Sequence, residues 1–109
     1  DGIRHFYARR MFIGAQGISA HGVMEPDALV IQSEQRLMRQ ADELIVMVDS
    51  SKFARRSSMI LCPLERVSTI ITDDGVPEEA VAMLEGAGVK VLAVKPVTAT
   101  GKEDASSAA

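Results

Sequence analysis

The stretch Leu44-Ile45-Val46-Met47-Val48 carries five apolar side chains in a row. A strand with one face in water alternates polar and apolar residues. A strand without alternation calls for cover on both faces, as in a parallel sheet. The run is far shorter than the roughly 20 residues a membrane-spanning helix needs. Parallel neighbours cannot be joined by tight hairpins, so the rest of the chain has to supply crossover segments.

Those segments are legible on both sides. Met11-Phe12-Ile13 ends at Gly14, and glycines recur at 17 and 22, which reads as a strand followed by a glycine-rich loop to about Glu25. Pro26 suits a first helical position, and the Gly- and Pro-free stretch to Ala41 places Val30, Ile31, Leu37, Met38 and Ala41 on one helical face. Residues 59–62 and 67–71 read as further strands. Asp73-Asp74-Gly75 is turn chemistry, and Pro77 opens a second helix with Glu78 and Glu79 near its positive end. Gly88 stops that helix in a left-handed conformation, and residues 89–94 form a last strand. The expected fold is α/β, a mostly parallel sheet layered with helices over residues 1–95. Residues 96–109, rich in Thr, Ala, Gly and Ser, read as a disordered tail.

The 109 residues carry 12 Lys and Arg against 15 Asp and Glu, a net charge of −3 that argues against the whole chain being a DNA-binding domain. A single cysteine, Cys62, cannot form an internal disulfide, which favours a reducing cytoplasm. Residues 1–10 have neither an initiator Met nor a signal-peptide pattern, so the expectation is a start inside a longer parent.

In open α/β sheets ligands gather beyond the carboxyl ends of the strands, and two polar clusters fall there. Gly14, Gly17 and Gly22 let backbone N–H groups approach an anion. Asp49, Ser50, Ser51 and Lys52 follow the apolar strand, with donors for phosphate oxygens and an acceptor for sugar hydroxyls. The competing readings are a plain turn for the glycines and a helix cap for Asp49 to Lys52. Glu34 falls on the apolar stripe and is read as lying at its margin with the carboxylate in water. His5 and His21 have no metal-ligand spacing, and Arg55-Arg56-Ser57-Ser58 reads as a solvated loop with anion binding as the alternative. The six methionines read as core or interface filler.

Three motifs occur in order: Phe12-Ile-Gly14-Ala-Gln-Gly17-Ile18, Asp49-Ser-Ser-Lys52 with Phe53, and Ile70-Ile-Thr72-Asp73. Through them the chain resembles, from about Arg9 to Val94, the DeoR family of bacterial sugar-metabolism repressors. The resemblance implies the second part of a sensor domain similar in fold to ribose-5-phosphate isomerase. In that family a phosphorylated sugar or polyol releases the repressor from DNA, which is held by an N-terminal helix-turn-helix outside this sequence. It also implies that Asp49 and Lys52 contact the effector, while Gly14 and Gly17 shape the facing loop. In the related isomerases a proton-moving carboxylate falls at the place of Gln16. An amide has no titratable group, so Gln16 can hydrogen-bond a hydroxyl but cannot be a general base.

The expected function is therefore sensing by Gly14, Gln16, Gly17, Asp49, Ser50, Ser51 and Lys52, without catalysis, metal or cofactor. The expected partners are the effector and a second copy of the chain, with DNA contacted only through the helix-turn-helix and no membrane contact. A sugar-phosphate isomerase fragment and an assembly domain are the alternatives.

Overall fold

The computed structural model describes residues 9–95. Four strands, β1 (Arg10–Ile13), β4 (Glu43–Met47), β6 (Thr69–Asp73) and β7 (Lys90–Val94), pair in the order β1-β4-β6-β7, and every neighbour is parallel. This is the mostly parallel sheet that the apolar run demands. Three further strands, β2 (Gly17–Ser19), β3 (Gly22–Glu25) and β5 (Met59–Cys62), form a separate antiparallel sheet in the order β2-β3-β5. Helix α1 (Ala28–Met38) packs on β3 and β5, and α2 (Glu78–Gly86) packs on β7.

Leu44, Val46 and Ile70 point to one face of the parallel sheet and are fully buried, in one core with Ile18 and Val23 of the hairpin and Leu84 of α2. The opposite face is open. Register places Phe12 beside Ile45, Met47 beside Ile71, and Ile71 beside Leu92. On this face Phe12 is 58% exposed and Met47 51%. The expectation of cover on both faces of β4 is thus met on one face only among the described residues. The apolar run records a burial that the described residues do not complete.

Several local expectations change. The glycine-rich loop holds the β2–β3 hairpin, hidden because its strands are three and four residues long and glycine-rich. Gly22, at φ 134°, turns that hairpin against the backbone carbonyl of Cys62, a place where a side chain would collide. Helix α1 starts two residues after Pro26, because Asp27 caps it by accepting from the Leu29 N–H at 2.9 Å. Pro77 is likewise the N-cap of α2 rather than its first helical residue, and Gly88 follows the helix at φ 86° as expected. On α1 only Ile31 and Met38 are buried, whereas Leu37 is 59% exposed and Val30 also faces outward. A spacing of seven defines two adjacent lines on a helix, and the antiparallel sheet covers one of them. The expected tail at 96–109, the start at residues 1–8 and His5 lie outside the described residues.

Candidate functional site at the strand ends

Because β1, β4 and β6 are parallel neighbours, their carboxyl ends lie side by side. Gly14 leaves β1, and a Cβ there would meet the Met47 carbonyl oxygen at 3.7 Å, an ordinary contact with the end of β4. Gly17 is buried in β2, where a Cβ would come within 2.7 Å of the Arg55 carbonyl oxygen. Its missing side chain lets the segment after Lys52 lie against the hairpin. The Gln16 N–H is spent on the Met24 carbonyl at 3.1 Å, which leaves its exposed side chain as the available polar group.

Asp49 starts a 3-10 turn, Ser50–Phe53, and accepts from the Ser51 N–H at 2.9 Å and from the Ser51 hydroxyl. The capping reading and the recognition reading thus describe the same carboxylate. The Lys52 ammonium folds back to 3.6 Å from Asp49, with its side chain only 19% exposed. The bonds from Ser51, with Lys52 adding to them, hold the Asp49 carboxyl below the usual carboxylate range.

Asp73, at the end of β6, joins the same constellation. Its carboxylate accepts from the Ser50 N–H at 2.6 Å and from the Gly75 N–H at 3.0 Å, and these bonds lower its pKa as well. One carboxylate therefore ties the turn after β4 to the turn after β6. Its signal was present in the sequence, since Asp73 follows an apolar strand as Asp49 does, but Asp73-Asp74-Gly75 reads first as a turn. A hollow of about 540 Å³ at these ends is lined by Met47, Val48, Asp49, Ile71, Thr72, Asp73 and Val94. Of the sequence-predicted residues only Asp49 lines it. Gly14 lies against Met47 and Gly17 against Arg55, on either side of Asp49 to Lys52 in sequence, and neither they nor Gln16 are walls of the hollow. Thr72 is buried with its hydroxyl unpartnered among the described residues.

Glu34 lies at the margin of the stripe, half-buried, but does not keep its whole carboxylate in water. One of its oxygens is buried without a partner, and desolvation, with the nearby Glu25, raises its pKa. Helix α1 is anchored by Gln35, whose amide donates to the Leu61 carbonyl at 2.8 Å, so Glu34 is carried toward β5. His21 is exposed, and among the described residues no three His, Cys, Asp or Glu side chains are grouped to hold a metal ion. No described helix is long and apolar enough to cross a membrane.

The chain was compared with known proteins. Residues 1–74 match the family model of the DeoR C-terminal sensor domain. Relatives called HTH-type transcriptional regulator UlaR, from Shigella dysenteriae serotype 1 and from Escherichia coli K12, are each 32% identical over 84 residues, covering 77% of this chain. That region is 34% of each relative, so the chain spans about a third of the length of these regulators. With all three motifs inside the matched span, the chain belongs to the DeoR C-terminal sensor domain family.

Proposed function

We propose that the chain is the ligand-sensing portion of a DeoR-type transcriptional regulator and binds a phosphorylated sugar or polyol at the ends of β1, β4 and β6. The observation that carries this reading is the gathering of Asp49, Lys52 and Asp73 at adjacent parallel strand ends. Two carboxylates held ionised at neutral pH suit hydroxyl donors and repel phosphate. Lys52 is the cation beside them, so the phosphate belongs on its side, with Ser50, Ser51 and Gln16 offering further polar contacts. Gly14 and Gly17 keep the facing loop low. The similarity of fold to ribose-5-phosphate isomerase is part of this proposal. Gln16 argues against isomerisation, since an amide accepts no proton at neutral pH. DNA would be held by a helix-turn-helix elsewhere in the regulator, as the printed names of the relatives suggest.

Calorimetry against a panel of sugar and polyol phosphates tests the reading. One member should bind, and Lys52→Ala should weaken it tenfold to a hundredfold, as expected for a charge-assisted bond of about 1.5 to 3 kcal/mol. Asp49→Asn should give a similar loss. Unchanged binding in Lys52→Ala would leave Asp49 to Lys52 with a capping role alone, and turnover of any panel member would establish the isomerase alternative.

A further inference from the structure

A second hollow, of about 430 Å³, opens between β2, the segment after the 3-10 turn and the start of α2. None of Gly14, Gln16, Gly17 or Asp49 to Lys52 lines it. Ile18, Phe53, Ala80 and Met83 give it an apolar lining, and Arg55 and Arg56 line it as well. Its size lies in the range of small-molecule sites, roughly 300 to 1,000 Å³.

Both arginines are exposed, and among the described residues neither has a counter-ion. The ion pairs among the described residues are Arg10 with Glu43 and Lys52 with Asp49, and neither Arg55 nor Arg56 makes a side-chain hydrogen bond. Adjacent like charges repel, and an anion that bridges them would relieve that repulsion. The Arg55 backbone is fixed in two ways: its N–H donates to the Lys52 carbonyl, and its carbonyl lies against Gly17 so closely that no Cβ would fit. The backbone that carries the pair is therefore held in place before any ligand arrives, which lowers the ordering cost of binding. Across the hollow, α2 is capped by Pro77, which offers no side-chain hydrogen bond, and Glu78 and Glu79 stand in its first turn. Glu79 lines the hollow, so that wall suits a hydrogen-bond donor and the anion belongs on the arginines.

We propose that this hollow is a second small-molecule site, separate from the strand-end site. It takes an organic anion whose charged group forks onto Arg55 and Arg56 while its apolar body rests on Ile18, Phe53 and Met83. Guanidinium pairs bind phosphate and carboxylate oxygens through parallel N–H bonds, and the apolar lining rewards a ring or branched chain that a bare ion lacks.

The test is an NMR titration of the full chain with phenyl phosphate, alongside inorganic phosphate and benzyl alcohol as the two halves of the probe. Phenyl phosphate should shift the methyl signals of Ile18, Ala80 and Met83 saturably and bind at least tenfold tighter than either half. The double variant Arg55→Ala with Arg56→Ala should weaken it tenfold or more, and Arg39→Ala, an exposed charge just after α1, should leave it unchanged. Absence of saturation, equal binding of inorganic phosphate, or equal binding by the double variant would each overturn the proposal. So would loss of phenyl phosphate binding in Lys52→Ala alone, which would place the anion at the strand ends.

Discussion

Glu34 and Cys62 are the two titratable side chains whose burial matters most. The Glu34 pKa is raised in the folded chain, so folding binds its proton more tightly than the unfolded chain does. Its contribution is favourable in acid and is lost as pH rises through the folded value. Glu34→Gln should therefore stabilise the protein slightly at pH 7, with the gain fading below pH 4.5, where the unfolded carboxyl is also protonated. Urea melts of both proteins at the two pH values measure this, and a loss of stability in the Gln variant would mean the carboxylate has a partner. Burial pushes the Cys62 thiol from 9.0 up to about 11, against a smaller opposing pull from Arg66. At pH 8 the thiolate fraction should be roughly a hundredfold lower in the folded chain than in the unfolded one. Iodoacetamide labelling should be slower by at least that factor, and equal rates would show Cys62 to be accessible.

The contact between β2 and the segment after the 3-10 turn is where element packing meets the candidate sites. Gly17→Ala would put a Cβ within 2.7 Å of the Arg55 carbonyl oxygen, a backbone atom that cannot rotate away. The expected cost is about 1 to 3 kcal/mol, as in other overpacked interiors. Because the displaced segment leads back to Lys52, effector binding should weaken in the same variant. Thermal melts and calorimetry read the two effects, and unaltered stability would mean the Arg55 segment moves freely. Asp27, Pro77 and Gly88 illustrate how far capping signals reach in this chain. Turn and cap residues announced both helices, but which residue caps depended on local hydrogen bonds, with Asp27 taking the Leu29 N–H and so starting α1 at Ala28.

At the scale of the whole molecule the dominant feature is the open face of the parallel sheet, where Phe12, Met47, Leu92 and Val94 are exposed beside half-buried Ile45 and Ile71. Contiguous apolar surface of this kind promotes association. Light scattering should show a mass that rises with protein concentration, and Met47→Lys with Leu92→Lys should abolish the rise without lowering the melting temperature. A concentration-independent monomer in the unmodified chain would show that water tolerates this face. The self-association expected of the chain thus has a surface to work through, and the relatives, about three times the length of the matched region, have further polypeptide that can serve as cover.

Local chemistry sufficed for the parts of the molecule that depend on neighbours in sequence. The unbroken Leu44 to Val48 run called for a parallel sheet, apolar residues seven and four apart marked the first helix and Pro77 with Gly88 bounded the second, and strand-then-Asp placed Asp49 at a carboxyl end. The resemblance added the family, which the comparisons bear out. Three things depended on residues far apart in the chain and were decided only by the tertiary structure. β5 left the parallel sheet to pair with β3, because register is set by partners and not by a strand's own composition. Asp73 keeps its turn, accepting from the Gly75 N–H, and also becomes the clamp on Ser50, 23 residues away. Arg55 and Arg56 stay exposed in a loop, as read from the sequence, and that loop also walls a hollow because Gly17 lets the Arg55 backbone approach β2. Sequence patterns record which side chains need burial or a hydrogen bond, and the folded chain alone determines which distant group supplies it.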